Sequence, residues 1–383
     1  MKVLWLTSWY PSQVNMLAGD FIERHAQASA LVNHTYVIHV VKDTTGKIKK
    51  VTKEERKYAE NFTAVIYYYP SFALADTLIS NIYFLHLHQR AWNEYVQKYG
   101  KPAGILVQVG IKAGIIALLR KKFQGIPYVL FERWTGFLPN AKPNFKQQPA
   151  LLQHLWKSVL HNARELVTAS AYFGEFFKKQ FGAKSYTVVP NYINAKLFYP
   201  KTKTSSLPFR FIHISTLDYQ KNFEAILEAF RLVVNEDDNN ELIVYGPEVP
   251  RYKSLADSLQ LSAHVFFKGE VLHAGIAEAL QQSDALILYS RYETFGNVIM
   301  EANACGLPVI VSDLPVFHEI VEEGKNGVFV AGDNPRALAE KMLWLKKNIH
   351  QFNGEEIAAE ARSRFSKEKV AQLFDELYKK HFT

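Results

Sequence analysis

Cysteine is nearly absent from this chain: 383 residues hold one, Cys305. A single thiol closes no internal disulfide, so cross-links contribute nothing to the fold. Cys305 lies in an apolar helical pattern and reads as a small filler in preference to a nucleophile. Long apolar runs are also lacking, since none approaches the roughly 18 residues that a spanning helix needs. The opening MKVLWLTSWYPS is too short in apolar residues for a signal-peptide core and reads as a strand. The expected location is therefore the cytoplasm, with any membrane attachment peripheral, at the inner face. Metal signatures are missing as well. There is no Asp-x-Asp, no His-Glu-x-x-His and no cysteine cluster, so neither a metal nor another cofactor is expected. His86 and His88 alternate and read as core or surface residues. No Ser–His–Asp triad is deducible from sequence order.

Acidic residues are scarce in the first half. Residues 1–190 hold 24 Lys and Arg against 11 Asp and Glu, a balance of +13, whereas residues 191–383 hold 21 against 26, a balance of −5. A basic half suits an anionic partner, such as phospholipid, nucleic acid or a phosphorylated acceptor; an inert basic surface is the competing reading. Residues 42–57 carry seven cations against Asp43, Glu54 and Glu55 and read as solvated surface. No aromatic lies among those cations, so a stacking groove for nucleic acid is not expected. Residues 71–88 are aromatic and apolar with one formal charge, Asp76. They read either as a core helix or as an apolar lip that meets a lipid or an acceptor.

What is present is an α/β pattern. Apolar residues make up 48% of the chain, enough for real cores, and the length fits two domains. Strands are expected at 3–6, 37–41, 64–69, 105–109, 128–131, 166–170 and 187–189. Helices are expected at about 20–32 and at 113–122. After a linker at 189–194 the pattern restarts, with strands at 209–214, 242–245 and 265–267. The following helix puts Phe223, Ile226, Leu227, Phe230 and Val233 on one face. A short helix is expected at 318–323, and amphipathic helices at 336–346 and 370–380. Strands alternating with helices imply parallel sheets.

The stretch 285–313, ALILYSRYETFGNVIMEANACGLPVIVSD, carries the chemistry. It reads as strand (285–290), polar turn (291–294), helix (295–305) and strand (309–312). A helix that starts just after a strand end presents free N–H groups and the positive end of its dipole, which suits an anion. Gly296 allows a ligand to approach the backbone. Glu293 and Glu301 flank those amides, and carboxylates accept hydrogen bonds from hydroxyls. Either glutamate alone would read as solvated. Amides for phosphate with acids on both sides describe a sugar-nucleotide site. Lys221 follows the strand 209–214 and either faces the same diphosphate or is simply solvated. A cation aimed at a departing diphosphate lowers the barrier electrostatically.

The run E-T-F-G-N-V-I-M-E-A-N-A-C-G-L-P-V-I closely resembles the glutamate–seven residues–glutamate motif of the family 4 retaining glycosyltransferases (glycosyl transferases group 1). V-V-P-N-Y-I-N with Leu197-Phe198, Lys221-Asn222, Phe267-Lys268-Gly269, and Glu319 with Asn326-Gly327 extend the resemblance over most of the chain. It implies an α/β chain of GT-B fold: two Rossmann-like, doubly wound domains facing across a cleft. Residues 1–190 would bind the acceptor and 191–366 the nucleotide sugar, with a final helix at about 367–383 packing back on the first domain. The resemblance gives Glu293 to the donor sugar's hydroxyls and Glu301 to the ribose. The amides of Phe295, Gly296, Asn297 and Val298, with Lys221, go to the diphosphate. Glu270 and Val271 would lie by the base, and Gly19 by the phosphate. Two positions depart from the family. Thr216 stands where many members have an arginine, and Arg133 where many have a histidine; Arg133 is the expected replacement cation. The implied activity is metal-independent, retaining transfer of a hexose from a nucleotide-diphosphate sugar to a glycan or lipid-linked acceptor. An anionic membrane surface is a further expected partner, and nucleic acid is not one. The alternatives are a sugar-nucleotide epimerase or hydrolase, or a non-catalytic sugar-nucleotide binder, on the same fold.

Overall fold

The computed structural model describes residues 1–72, 76–201 and 208–383. They gather into two compact units. Unit 1 is Met1–Trp134, Lys146–Tyr192 and Lys367–Thr383; unit 2 is Thr135–Phe145 and Ile193–Ser366. The segment Thr135–Phe145 thus groups with unit 2 although it lies within the first 190 residues. Its anchor is local: Lys142 N donates to Tyr292 Oη at 3.0 Å, and the Lys142 ammonium sits 4.0 Å from the Tyr219 ring centroid.

Unit 1 begins with β1 (Lys2–Thr7), α1 (Asp20–Ser29), β2 (His34–Lys42), β3 (Thr52–Ala59), β4 (Phe62–Tyr69) and α2 (Asp76–Tyr99). It continues with β5 (Gly104–Gln108), α3 (Ala113–Gln124), β6 (Tyr128–Phe131), α4 (Ala150–Asn162), β7 (Leu166–Thr168), α5 (Ala171–Phe181) and β8 (Tyr186–Val188). The sheet order is β3-β4-β2-β1-β5-β6-β7-β8. Every pairing is parallel except β3 against β4. Val3, Leu4, Trp5 and Leu6 are all buried, as a central parallel strand covered on both faces requires. Val3 and Trp5 join a core with Ile22 and Ala26 of α1. On the other face Tyr36 packs on Tyr95 and Tyr99 of α2.

Unit 2 holds β9 (Phe209–Ile214), α6 (Phe223–Glu236), β10 (Asn240–Tyr245), α7 (Pro250–Ser258), β11 (Val265–Phe267), α8 (His273–Gln281) and β12 (Ala285–Leu288). It ends with α9 (Asn297–Ala304), β13 (Val309–Ser312), β14 (Gly327–Val330), α10 (Pro335–Lys347) and α11 (Gly354–Arg364). Its sheet, β11-β10-β9-β12-β13-β14, is parallel throughout. The expected α6 face of Phe223, Ile226, Leu227, Phe230 and Val233 is buried against Phe211, Leu242 and Ile287. Ile212 and Leu286, paired in register, are buried on the opposite face. The last helix, α12 (Lys367–Phe382), belongs to unit 1. There Phe374 meets the Trp5 ring at 5.4 Å, and Trp5 Nε1 donates to Tyr378 Oη at 3.1 Å.

Several expectations are corrected. The stretch 42–57 is largely exposed, as a solvated surface should be, but part of it forms β3, a strand not expected there. Its sequence TKEERKYA is charged, which suits an edge strand that must not recruit another edge. The expected helix at 20–32 stops at Ser29, and Leu31 and Val32 turn outward, 50% and 46% exposed. The expected helix at 295–305 starts later, at Asn297, because Gly296 takes a left-handed conformation, φ 102°. The helix at 318–323 is a single 3₁₀ turn, Phe317–Glu319. Helices α4, α5, α7, α8 and α11 were not anticipated. Of the stretch 71–88, residues 73–75 lie outside the described residues, 71 and 72 precede α2, and 76–88 belong to it.

Candidate donor site

In unit 2 the strand order reverses between β9 and β12, and a parallel sheet opens a crevice beyond its carboxyl ends at such a point. The segment after β9 carries Lys221; the turn after β12 carries Glu293. Arg291 N donates to Gln220 O at 2.8 Å and locks the two together. The result is an ion pair between Lys221 Nζ and Glu293 Oε1. Ser290 Oγ donates to the same carboxylate oxygen at 3.2 Å. The Lys221 and Glu293 side chains are 17% and 7% exposed, so the pair is largely shielded from solvent. Neither residue's role is visible from burial; their mutual contact is what marks the spot.

Gly296 follows this turn and precedes α9. A Cβ there would come within 2.8 Å of the Phe317 ring and 3.0 Å of Ile299 Cδ1. With its positive φ as well, the position admits only glycine comfortably. The first α9 residues, Asn297 and Val298, come immediately after it, and the opening turn of a helix lacks intrahelical acceptors for its N–H groups. One turn on, Glu301 is buried and its Oε1 lies 3.5 Å from His273 Nε2. His273 opens α8, just beyond Glu270 and Val271. Glu270 is exposed and Val271 half-buried. The Gly269 carbonyl accepts from Gly246 N at 3.1 Å, which ties their loop to the end of β10. Thr216 is exposed and donates to Asp218 Oδ2 at 2.8 Å.

Gly19 and Arg133 belong to unit 1. Gly19 precedes α1 with φ 73°, and a Cβ would come within 2.9 Å of the Trp9 carbonyl carbon. Arg133 follows β6 and is 7% exposed. Its Nε donates to Gln108 Oε1 at 3.0 Å and its Nη1 to Asn191 Oδ1 at 2.9 Å. Its Nη2 donates to His25 Nδ1. The guanidinium lies 3.5 Å from the Phe131 ring centroid. Burial first, then Arg24, pushes the Arg133 pKa well down, while Glu132 and Asp20 oppose the shift. His25 Nε2 bonds Pro190 O at 3.0 Å. That carbonyl fixes the proton on Nε2, so Nδ1 accepts and the ring is neutral. Burial and then Arg133 hold the His25 pKa well below its usual value. Glu132 is buried too, with Oε2 accepting from Gly110 N and Trp156 Nε1 and Oε1 from Arg133 N and Trp134 N.

The structure therefore brings Lys221, Glu293 and the start of α9 together, with Glu301 one turn further on. Glu270 and Val271 lie just ahead of His273. In unit 1, Arg133 lies in a polar node with Gln108, Asn191 and His25, and Gly19 precedes α1. Sequence reasoning missed His273 and Ser290. Their only signals were closeness in sequence to Val271 and to Glu293. It also missed Tyr219, whose ring has the Arg291 guanidinium 4.5 Å from its centroid as well as Lys142. Burial raises the Cys305 thiol to about 12, consistent with a filler. Among the described residues no group of three or more His, Cys, Asp or Glu is placed to hold a metal ion.

Residues 199–368 match the family described as glycosyl transferases group 1. The chain is 28% identical over 206 residues to N-acetyl-alpha-D-glucosaminyl L-malate synthase of Bacillus anthracis, covering 51% of this chain and 54% of that protein. It is 25% identical over 276 residues to alpha-monoglucosyldiacylglycerol synthase of Acholeplasma laidlawii, covering 68% of this chain and 67% of that protein. The chain thus spans about half to two thirds of the length of these relatives. Among solved structures, a sucrose-phosphate synthase from Thermosynechococcus elongatus superposes with a TM-score of 0.78 at 18% identity, over 99% of both chains. That likeness concerns the fold, two Rossmann-like α/β domains. Residues 199–368 are thus similar to the glycosyl transferases group 1 family, and the fold is the two-domain α/β GT-B architecture.

Proposed function

We propose that the protein is a retaining glycosyltransferase that moves a hexose from a nucleoside-diphosphate donor to a glycan or lipid-linked acceptor. The observation that carries the reading is the Lys221–Glu293 pair beside the start of α9. A diphosphate arriving there meets a cation and helix N–H groups. Lys221 then exchanges its carboxylate partner for phosphate oxygens, and Glu293 is released to accept hydrogen bonds from sugar hydroxyls. As the sugar leaves, negative charge grows on the diphosphate, and fixed positive groups stabilise that charge more than the ground state. Glu301, held on α9, is suited to ribose hydroxyls. Lys221 and the amides already offset the phosphate charge, so we infer no divalent metal requirement.

The names of the two relatives describe an N-acetylglucosaminyl group joined to malate and a glucosyl group joined to diacylglycerol. They support a sugar-transfer reading and favour a small anionic or a lipid acceptor over a protein. A thermal-shift panel of nucleoside diphosphates and their sugars tests the donor site, since a ligand of the folded state raises Tm. Product analysis with and without acceptors separates transfer from hydrolysis or epimerisation, and NMR of the anomeric centre reads retention. Activity abolished by a chelator and restored by Mg²⁺ would overturn metal independence; an inverted product would overturn retention.

A further inference from the structure

We propose that unit 1 docks on an anionic lipid bilayer through one face of α2 and the lysine-bearing loop beside it. This extends the lipid-linked acceptor reading above by naming a surface. On α2, Leu78, Ile82 and Leu85 are 65%, 57% and 47% exposed. Their spacing, i, i+4 and i+7, puts them on one helical stripe, opposite the buried Leu87 and Ala91. Apart from Asp76 at its start, the helix has no acidic residue before Glu94. A solvated helix normally carries charge on such a face.

The second half of the surface is basic. Lys42 ends β2 and pairs with Asp76 at 2.7 Å, at the first residue of α2. Asp76 also accepts from Phe72 N at 3.0 Å. The next residue, Asp43, accepts through its carbonyl from Ser71 Oγ, so the β2–β3 loop starts against the entry to α2. That loop is built, not slack. The Asp43 carboxylate accepts from Thr45 N at 2.8 Å, Thr45 Oγ1 at 2.7 Å and Ile48 N at 2.7 Å. Those bonds lower the Asp43 pKa and keep its charge turned into the loop. Lys47, Lys49 and Lys50 are left exposed with no acid in the loop beyond Asp43.

An apolar stripe on α2, with lysines on the loop that starts against the entry to that helix, matches the chemistry of a bilayer surface, with acyl chains for the stripe and anionic headgroups for the lysines. A soluble acidic partner would satisfy only the lysines. No described helix is long and apolar enough to cross a membrane, so the attachment is peripheral. Both elements lie where β2, β4 and α2 meet, toward the carboxyl ends of the parallel strands, where open α/β sheets take their ligands. A lipid-linked acceptor held there would stay in its own bilayer.

The test is co-sedimentation of the full chain with vesicles of phosphatidylcholine alone or mixed equally with phosphatidylglycerol. Binding should be confined to the anionic vesicles and should weaken as salt rises. Lys47→Gln/Lys49→Gln/Lys50→Gln should lower the partition about a hundredfold. Leu78→Gln/Ile82→Gln/Leu85→Gln should lower it at least about tenfold at fixed salt, because less apolar surface is buried. Circular dichroism and melting curves check that both variants fold, and all substituted side chains are exposed. Equal binding to both vesicle types, no binding at low salt, or a partition that either triple variant leaves unchanged would overturn the proposal. Capture on a heparin or polyglutamate resin that competes fully with vesicles and ignores the apolar variant would reassign the lysines to a soluble partner. Nucleoside-diphosphate affinity is measured in parallel. Its retention without vesicle binding removes docking alone, and its loss in the unmodified protein removes the donor reading alone.

Discussion

Both units place buried polar groups at the carboxyl ends of parallel strands, but with opposite electrostatics. In unit 2 a cation meets a carboxylate, Lys221 with Glu293, and both can find other partners when a ligand arrives. In unit 1 the Arg133 guanidinium hydrogen-bonds to neutral side chains, Gln108, Asn191 and His25, and each of its nitrogens is already engaged. The first arrangement is exchangeable; the second reads as scaffold that fixes β6, α1 and the chain at Pro190–Asn191. Position in a Rossmann-like sheet therefore does not by itself make a ligand site. What matters is whether the charges can be given up at low cost.

The largest expected difference between the units is in acid. Unit 1 buries His25, His39 and His88; unit 2 buries His213. Burial lowers His39 to about 4, His88 to about 3 and His213 to about 4, and His25 well below its usual value. Each is depressed below its unfolded value near 6.5. The stability they allow is therefore present above about pH 6.5 and is lost as pH falls toward the folded values, because the unfolded chain takes up protons first. The loss approaches about 1.4 kcal/mol per histidine per pH unit, so about 4 for unit 1 against about 1.4 for unit 2. Hydrogen exchange between about pH 6.5 and 5 should show β1 and β2 losing protection faster than β9 and β10. Equal loss in both sheets would erase the contrast.

Next in size is a pair of substitutions. Lys221→Met should lower turnover on the order of 10²–10³-fold, the scale seen when one preorganised donor to a developing charge is removed. Arg133→Met should act mainly on stability. It leaves the Gln108, Asn191 and His25 acceptors unpaired, at about 1–3 kcal/mol for a buried group. Steady-state rates and melting curves on both variants check this. If Arg133→Met cut turnover as deeply as Lys221→Met with an unchanged Tm, Arg133 would be a catalytic cation, as the family resemblance suggests, and the scaffold reading would fall.

Within unit 2 the two glutamates should separate. Glu301→Ala is expected to weaken binding of the nucleotide sugar by roughly 1.5–3 kcal/mol, the value of a hydrogen bond to a charged group. Glu293→Ala should mainly lower kcat, since its carboxylate becomes available only when Lys221 turns to the diphosphate. Calorimetry with the donor and rate measurements on both variants decide it. Unchanged affinity and rate in both would remove the pair from the site.

The two regions also differed in how far they could be read from sequence. The unit 2 cluster was legible because Glu293, Gly296 and Glu301 lie in one strand–turn–helix, where spacing translates directly into geometry. The α6 face was legible for the same reason, since its 3.6-residue period is local. The unit 1 node was not. Residues 25, 108, 133 and 191 meet only after four separate segments have been placed, and no local period records that. Strand β3 was hidden because its edge position allows a charged sequence on both faces, which looks like a loop. The start of α9 was misjudged by two residues because helix formers begin before the Gly296 turn is complete. The His273 contact with Glu301 was hidden because α8 and α9 are separated by β12 in the chain.

The smallest expected effect concerns the cation that unit 2 lacks. Thr216 stands where the family resemblance implies an arginine, and it is exposed beside Asp218. Thr216→Arg would restore positive charge near the diphosphate. Asp218, which already accepts the Thr216 hydroxyl at 2.8 Å, would capture much of it. An exposed pair of this kind is worth at most about 1 kcal/mol, so donor affinity should rise less than about fivefold. Thr216→Arg/Asp218→Asn removes the competitor and should show the larger gain, more so at low salt. Titration calorimetry with a nucleoside diphosphate at two ionic strengths reads both variants. A single variant that gains as much as the double would mean that Asp218 does not compete. No gain in the double variant would mean that position 216 does not face the phosphates, leaving Lys221 and the α9 amides as the charge at that site.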